Sequence, residues 1–261
     1  MTYNFLSLPL PSMHLDYSQI TMLGWLSGIL AAILIGMGKT GLSGAGNIAI
    51  PLLALLFGGR PSTGIILPML CMADIFGVVY YHRHANMKHI FKLLPWAFVG
   101  LLVALFVGSR ISDHTFKMII GITVLLSVIL MFWQDYRKEH LEVPNKWWYS
   151  AAFGLSGGFA TMIGNAAGPI MAIFLQSMRL PKNSYIGTGA WFFLIVNYTK
   201  VPLQVIYWKN INWTTLSFDL ILLPAIAIGA FLGIKLVNLL PERAYRIFIL
   251  ISTSISALFL L

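Results

Sequence analysis

Charge is what this sequence has least of. Only 10% of its residues are Asp, Glu, Lys or Arg, where an average soluble domain has roughly 25%. With 58% of the chain hydrophobic and a mean hydropathy of +0.82, a soluble globule is excluded. Regular alternation of apolar and polar residues is missing as well, which excludes a transmembrane β-barrel. There is a single cysteine, Cys71, so no internal disulfide can form. Its place inside an apolar run reads as a buried, inert thiol. No Lys or Arg occurs between Met1 and Ile20, so the basic start of a cleavable signal is absent. That stretch reads as a short interfacial lead-in, residues 1–20.

What remains is a series of continuous apolar runs, with the few charges gathered between them. The expected class is an all-α polytopic membrane protein. A first membrane unit spans 21–133, a polar linker 134–147, and a second unit 148–261. In the first, the runs are Thr21 to Gly38, Asn47 to Phe57, Ser62 to Tyr81, Ile90 to Val107 and Phe116 to Trp133. In the second they are Trp148 to Ile163, Ala166 to Met178, Tyr185 to Trp208, Trp213 to Leu236 and Tyr245 to Leu261. The net charge of +9 is assigned to cytoplasmic loops rather than to a nucleic-acid surface, because no basic run exceeds two adjacent residues.

The halves repeat one another. Gly36 to Pro51 carries five glycines, Lys39 and Asn47, and its pattern returns from Gly154 to Pro169. In both copies Gly-Asn (Gly46-Asn47, Gly164-Asn165) precedes the proline by five and four positions. Asn86 matches Asn212, and Leu94-Pro95 with Gly100 matches Leu223-Pro224 with Gly229. Five segments per half is an odd number, so the repeats must insert with opposite orientation. Charge supports this. With the His82–Lys92 loop inside, Arg83, Lys88, Lys92, Arg137, Lys138, Lys146, Arg179, Lys182, Arg243 and Arg246 are cytoplasmic. Only Arg60, Arg110, Lys117 and Lys209 then lie outside, and both termini are extracytoplasmic; parallel repeats would divide the basic residues evenly. The first helices of each half read as broken or re-entrant: two short spans, half-helices meeting near the midplane, or a full span with a re-entrant loop.

A helix broken inside hydrocarbon leaves amides and carbonyls unpaired unless the break faces protein or water. Short, interrupted segments at matching places in two halves therefore point to a transporter's binding site. Asn47 and Asn165 precede helical runs, where an N-cap belongs. Two helix N-termini aimed inward favour an anion. Gly44, Gly46 and Gly164 let backbone approach a ligand, and Thr40, Ser43 and Thr161 add hydroxyl donors. The competing reading of the glycines is tight helix packing. Ionisable residues within apolar runs are functional candidates, and Lys39, Asp74 and Lys200 are the three. Asp74 and Lys200 each lie 12 residues before the matched asparagine. They are expected to pair across the repeat interface, as a structural lock or a proton-linked switch. Asn197 joins them as a candidate for coupling or gating.

Other chemistries fit poorly. Gly38-Lys39-Thr40 lacks the earlier glycine of a phosphate-binding loop, since Ile33 stands there. His82, His84 and His89 have no carboxylates around them and read as a solvated loop, not a metal site. No catalytic cluster falls within the spans, so neither enzyme activity nor a cofactor is expected.

The duplicated Gly-Asn and Pro breaks, the Asp74 to Asn86 region and the Leu-Pro/Gly pairs resemble the TauE/SafE sulfite exporter family from Gly24 to Leu261. The resemblance implies a plasma-membrane carrier of small sulfur-containing anions, such as sulfite or sulfoacetate, driven without ATP by an ion or proton gradient. It carries the family's glycine-rich site onto Gly44, Gly46, Asn47, Gly164 and Asn165. Lys39 has no counterpart in the second break, where Gly157 aligns, so one half would supply the charge that meets the substrate. The expected mechanism is alternating access around a midplane site. The alternatives are a passive anion channel or a carrier of non-sulfur organic anions.

Overall fold

The computed structural model describes residues 21–116, 147–178 and 180–239, with isolated positions 118, 119, 122, 129 and 241. All regular structure among them is helical. The helices are α1 (Met22–Lys39), α2 (Ser43–Phe57), α3 (Gly59–Tyr81), α4 (Met87–Arg110), α5 (Trp147–Gly164), α6 (Gly168–Ser177), α7 (Lys182–Leu203), α8 (Trp213–Ile221) and α9 (Leu223–Leu239). A 3-10 turn, His82–His84, follows α3, and a π-helical turn, Gln204–Trp208, follows α7. Three stretches are long and apolar enough to cross a membrane: Met22–Lys39, Gly59–His84 and Met87–Arg110. The pair α8–α9 makes a fourth if counted as one bent span. Most of the expected fifth segment, nearly all of the linker, the lead-in and the last segment lie outside the described residues.

The outer surface is apolar. Leu23, Leu26 and Leu30 on α1, Leu102, Val103 and Phe106 on α4, and Ile228 and Phe231 on α9 are all exposed. Such faces suit lipid tails, whereas Trp147, Trp148 and Trp213 stand exposed at helix starts, where aromatic side chains anchor at the interface.

Where lipid is as apolar as leucine, helices are held by close packing rather than by hydrophobic exclusion. Glycine supplies it here in two reciprocal crossings. Where α1 meets α9, a Cβ on Gly36 would strike the Ile226 carbonyl, and one on Gly229 the Ile33 carbonyl. Where α4 meets α5, a Cβ on Gly100 would strike the Leu155 carbonyl, and one on Gly154 the Leu93 carbonyl at 2.7 Å. Each half thus packs its first helix against the fourth segment of the other.

Three expectations change. α2 begins at Ser43, so its 15 residues make about 22 Å of helix, more than the 11-residue run read from the sequence. The reversal before it is compressed into Thr40–Leu42: Gly41 takes φ +141°, and the Leu42 N–H donates to the Met37 carbonyl at 2.9 Å. Asn47 consequently sits in the second turn, and Leu42, not Asn47, is the N-cap. Asn165 is not an N-cap either. It follows the end of α5 with φ 55°, a left-handed conformation that asparagine tolerates better than most residues, and Ala167 caps α6. The fourth segment of the second half is broken into α8 and α9, bent by 49°. Pro224, the second residue of α9, explains this, because it has no N–H to donate to the Leu220 carbonyl and its ring crowds that oxygen.

If these crossings hold the fold, Gly100→Val and Gly229→Val should each lower stability by about 1–3 kcal/mol through overpacking. Gly157→Ala should be tolerated, since its Cβ would have nothing closer than Ile170 Cγ2 at 3.8 Å. Thermal unfolding of the three variants in detergent checks this, and equal midpoints would remove the crossings from the account.

Candidate functional site

Lys39 ends α1, and α3 crosses just beneath it. The crossing is close enough that a Cβ on Gly77 would lie 2.6 Å from the Lys39 carbonyl oxygen. One turn earlier on α3, the fully buried Asp74 meets Lys39, with Nζ and Oδ1 2.7 Å apart. The Lys39 ammonium also lies 4.2 Å from the centre of the Phe193 ring on α7, a cation–π contact. The other Asp74 oxygen accepts from the Asn197 amide at 2.7 Å.

Asn197 faces two ways. Its carbonyl oxygen accepts from Lys200, one turn along α7, at 3.1 Å. Lys200 is fully buried and spends its remaining donors on Thr161 Oγ1 at 3.0 Å and Asn165 Oδ1 at 2.5 Å. All three hydrogens of its ammonium are used, and all three acceptors are neutral. The left-handed turn at Asn165 is what brings its side chain back over the end of α5 to reach Lys200. The chain of contacts runs Lys39, Asp74, Asn197, Lys200, then Thr161 and Asn165.

Asp74 and Lys200 are therefore brought together, but not as the direct pair expected from their matched positions. Lys39 takes the carboxylate, and Asn197 stands between Asp74 and Lys200. Lys39 emerges from the end of α1 directly over Asp74, and Lys200 is already filled by three neutral acceptors.

Beside this network is a cavity of about 80 Å³. A single water needs about 10–15 Å³ of such space, so the cavity has room for a small ion. Its polar lining comes from Lys39, Thr161, Asn165, Asn197 and Tyr185, and its backbone floor from Gly38 and Gly46. Those two glycines face each other where α1 meets α2, a Cβ on Gly38 falling 2.8 Å from Gly46 Cα. Close packing and access to the cavity thus share the same residues. Ile35, Ile50 and Phe193 close the apolar side.

Not every candidate comes to the cavity. The Thr40 hydroxyl is buried against the carbonyls of Gly36, at 3.0 Å, and Ala230, at 2.8 Å, where it joins α1 to α9. Gly164 is the buried last residue of α5, away from the lining. Ser43, Gly44 and Asn47 lie in the first two turns of α2, and their side chains are outside the described residues. Phe193 had no signal in the sequence, because aromatic residues are ordinary in membrane segments. Arg60, a possible rival cation, is committed elsewhere: its guanidinium donates to the carbonyls of Gly108 and Ile111 at 2.6 and 2.7 Å, where α4 ends.

Ionisable side chains within apolar helices, gathered at a break beside a small cavity, point to a membrane transport protein. The sequence family described as Sulfite exporter TauE/SafE matches residues 28–260, and the chain belongs to it. That family is one of membrane transporters of sulfur anions rather than of enzymes. Neither curated proteins nor solved structures yielded a match.

If Asp74 is what holds Lys39 at the cavity wall, Asp74→Ala should destabilise the protein by about 3 kcal/mol, the lower end of the cost of orphaning one partner of a buried pair, since Lys39 is 13% exposed. Removing both charges, in Lys39→Met with Asp74→Leu, should cost clearly less. Thermal unfolding in detergent measures both; a double variant as unstable as the single would show that the pair is not coupled.

Proposed function

We propose that this protein is a secondary transporter of small sulfur-containing anions, sulfite or organosulfonates such as sulfoacetate, in the plasma membrane. The observation that carries this reading is a charge imbalance: two lysines, the fully buried Lys200 and Lys39 with its side chain 13% exposed, share one buried carboxylate, Asp74, beside a cavity of about 80 Å³. With all three ionised, the centre has one positive charge too many, and a bound anion supplies the missing negative one. The donors around it suit an oxyanion. Lys39 provides a charged N–H, and the amides of Asn165 and Asn197 are polar groups at the cavity wall.

The anion competes with Asp74 for Lys39. In this reading Asp74, Asn197 and Lys200 form the gate: with the site empty, Asp74 holds Lys39, and with the anion present Lys39 turns to it while Asn197 keeps Asp74. The two membrane units, 21–133 and 148–261, act as inverted repeats that rock around the site. Support comes from the reciprocal glycine crossings of α1 with α9 and α4 with α5, and from the basic residues falling mostly on one side under that topology. A proton or ion gradient drives the cycle.

Radiolabelled sulfite, sulfoacetate and taurine uptake into liposomes, with and without an imposed proton gradient, tests the function. A carrier gives saturable flux accelerated by substrate on the far side; linear flux without exchange identifies a channel. Lys39→Ala is expected to weaken sulfite binding at least about tenfold, or about 1.4 kcal/mol. Asn165→Ala and Asn197→Ala should weaken it less, and Thr40→Val should leave it unchanged. Wild-type affinity in folded Lys39→Ala would move the site elsewhere.

A further inference from the structure

One buried carboxylate takes no part in the network just described. Asp219 lies on α8, six residues and about 9 Å of helix rise beyond the exposed Trp213. It is 0% exposed, and neither of its oxygens has a hydrogen-bond partner. It belongs to the buried stripe Thr215, Phe218 and Asp219. Phe218 packs on Trp25 and Phe57, with ring centroids at 4.9 and 6.2 Å, so the surroundings are those of α1, α2 and α3.

Among the described residues no cation compensates it. The titratable groups on α3 are Arg60, Cys71, Asp74, Tyr80 and Tyr81; Lys39 ends α1, Lys235 lies on α9, and α2 has none. Among the described residues none of these bonds to Asp219. Arg60 is held by the carbonyls at the end of α4, and Lys39 by Asp74. An ionised carboxylate without donor or counter-ion is not stable in such a place, and the group is held as the acid. Asp74 is the opposite case, with an ammonium and an amide directed at its two oxygens.

The position is also mechanically special. Three residues beyond Asp219 the chain bends by 49° between α8 and α9, just ahead of Pro224. A bend that lacks a backbone donor is a natural place for α8 to swing against α9.

We infer that Asp219 is the proton carrier of this transporter: it crosses the cycle as the neutral acid while buried, and releases its proton to water when α8 swings away at the bend. The step is RCOOH to RCOO⁻ and H⁺, with the proton leaving to solvent on one side and being replaced from the other. This rests on the transport reading above, but its first test does not. In infrared spectra of the purified protein at neutral pH, the wild type should show the carbonyl band of a protonated carboxyl. That band should be lost in Asp219→Asn, shifted in Asp219→Glu, and kept in Asp74→Asn. A wild type without the band, or Asp219→Asn that retains it, overturns the inference whether or not any anion is carried. If Asp219→Asn proves unstable, the Asp219→Glu shift decides the assignment. In liposomes loaded for radiolabelled sulfite uptake, Asp219→Asn should lose the stimulation by an imposed pH gradient while keeping sulfite–sulfite exchange. Undiminished stimulation overturns the coupling role, whereas a wild type that moves none of the three compounds defeats the transport reading and leaves the infrared result standing.

Discussion

Holding two ammonium groups away from water with one carboxylate between them is a demanding arrangement, and the centre of this protein is built to make it possible. Lys39 and Asp74 are 2.7 Å apart. The second lysine, Lys200, has no anion of its own and is held by three neutral oxygens, from Thr161, Asn165 and Asn197. A buried ion pair is costly to form and costlier to break. An ammonium satisfied only by dipoles carries its charge outward to whatever can approach. Here the approachable side is the cavity, because all three of its acceptors line it. Stability and ligand preference thereby come from the same groups.

The glycines make the arrangement reachable. Lys39 meets Asp74 because Gly77 lets α3 pass against the end of α1, and the cavity floor is thin because Gly38 and Gly46 let α1 and α2 touch through their backbones. The helices framing the site are fixed by the crossings at Gly36 with Gly229 and Gly100 with Gly154. In lipid this close packing replaces hydrophobic exclusion. The breaks serve the site in different ways. The first is a three-residue reversal stabilised by Thr40, and the second is a left-handed residue, Asn165, whose side chain then reaches Lys200.

Much of this is legible in the sequence and some is not, for physical reasons. Apolar runs bounded by polar residues place α1, α3, α4, α5 and α7 within a few residues, because run length in a membrane protein is set by bilayer thickness. Lys39, Asp74 and Lys200 stand out because charge in such runs is expensive. Their partners do not. Matched depth suggests that Asp74 meets Lys200, but contact depends on where α1 ends, and the break between α1 and α2 decides that. Reading Asn47 and Asn165 alike as helix caps fails because one Gly-Asn lies within a helix and the other ends one, a difference in backbone geometry that the shared letters do not encode. Asp219 hides for another reason. Among the threonines and serine after Trp213 it resembles the polar start of a segment, and only the packing of α8 into the helix bundle buries it.

The central claim is that the surplus positive charge beside Asp74 holds an anion. Selenite is the selenium analogue of sulfite, and its anomalous scattering locates it without assumptions about the protein. In crystals grown with selenite, an anomalous peak is expected in the cavity, within hydrogen-bonding distance of Lys39 Nζ and next to Asn165 and Asn197. A peak on the basic His82–Lys92 loop alone, with an empty cavity, would contradict it.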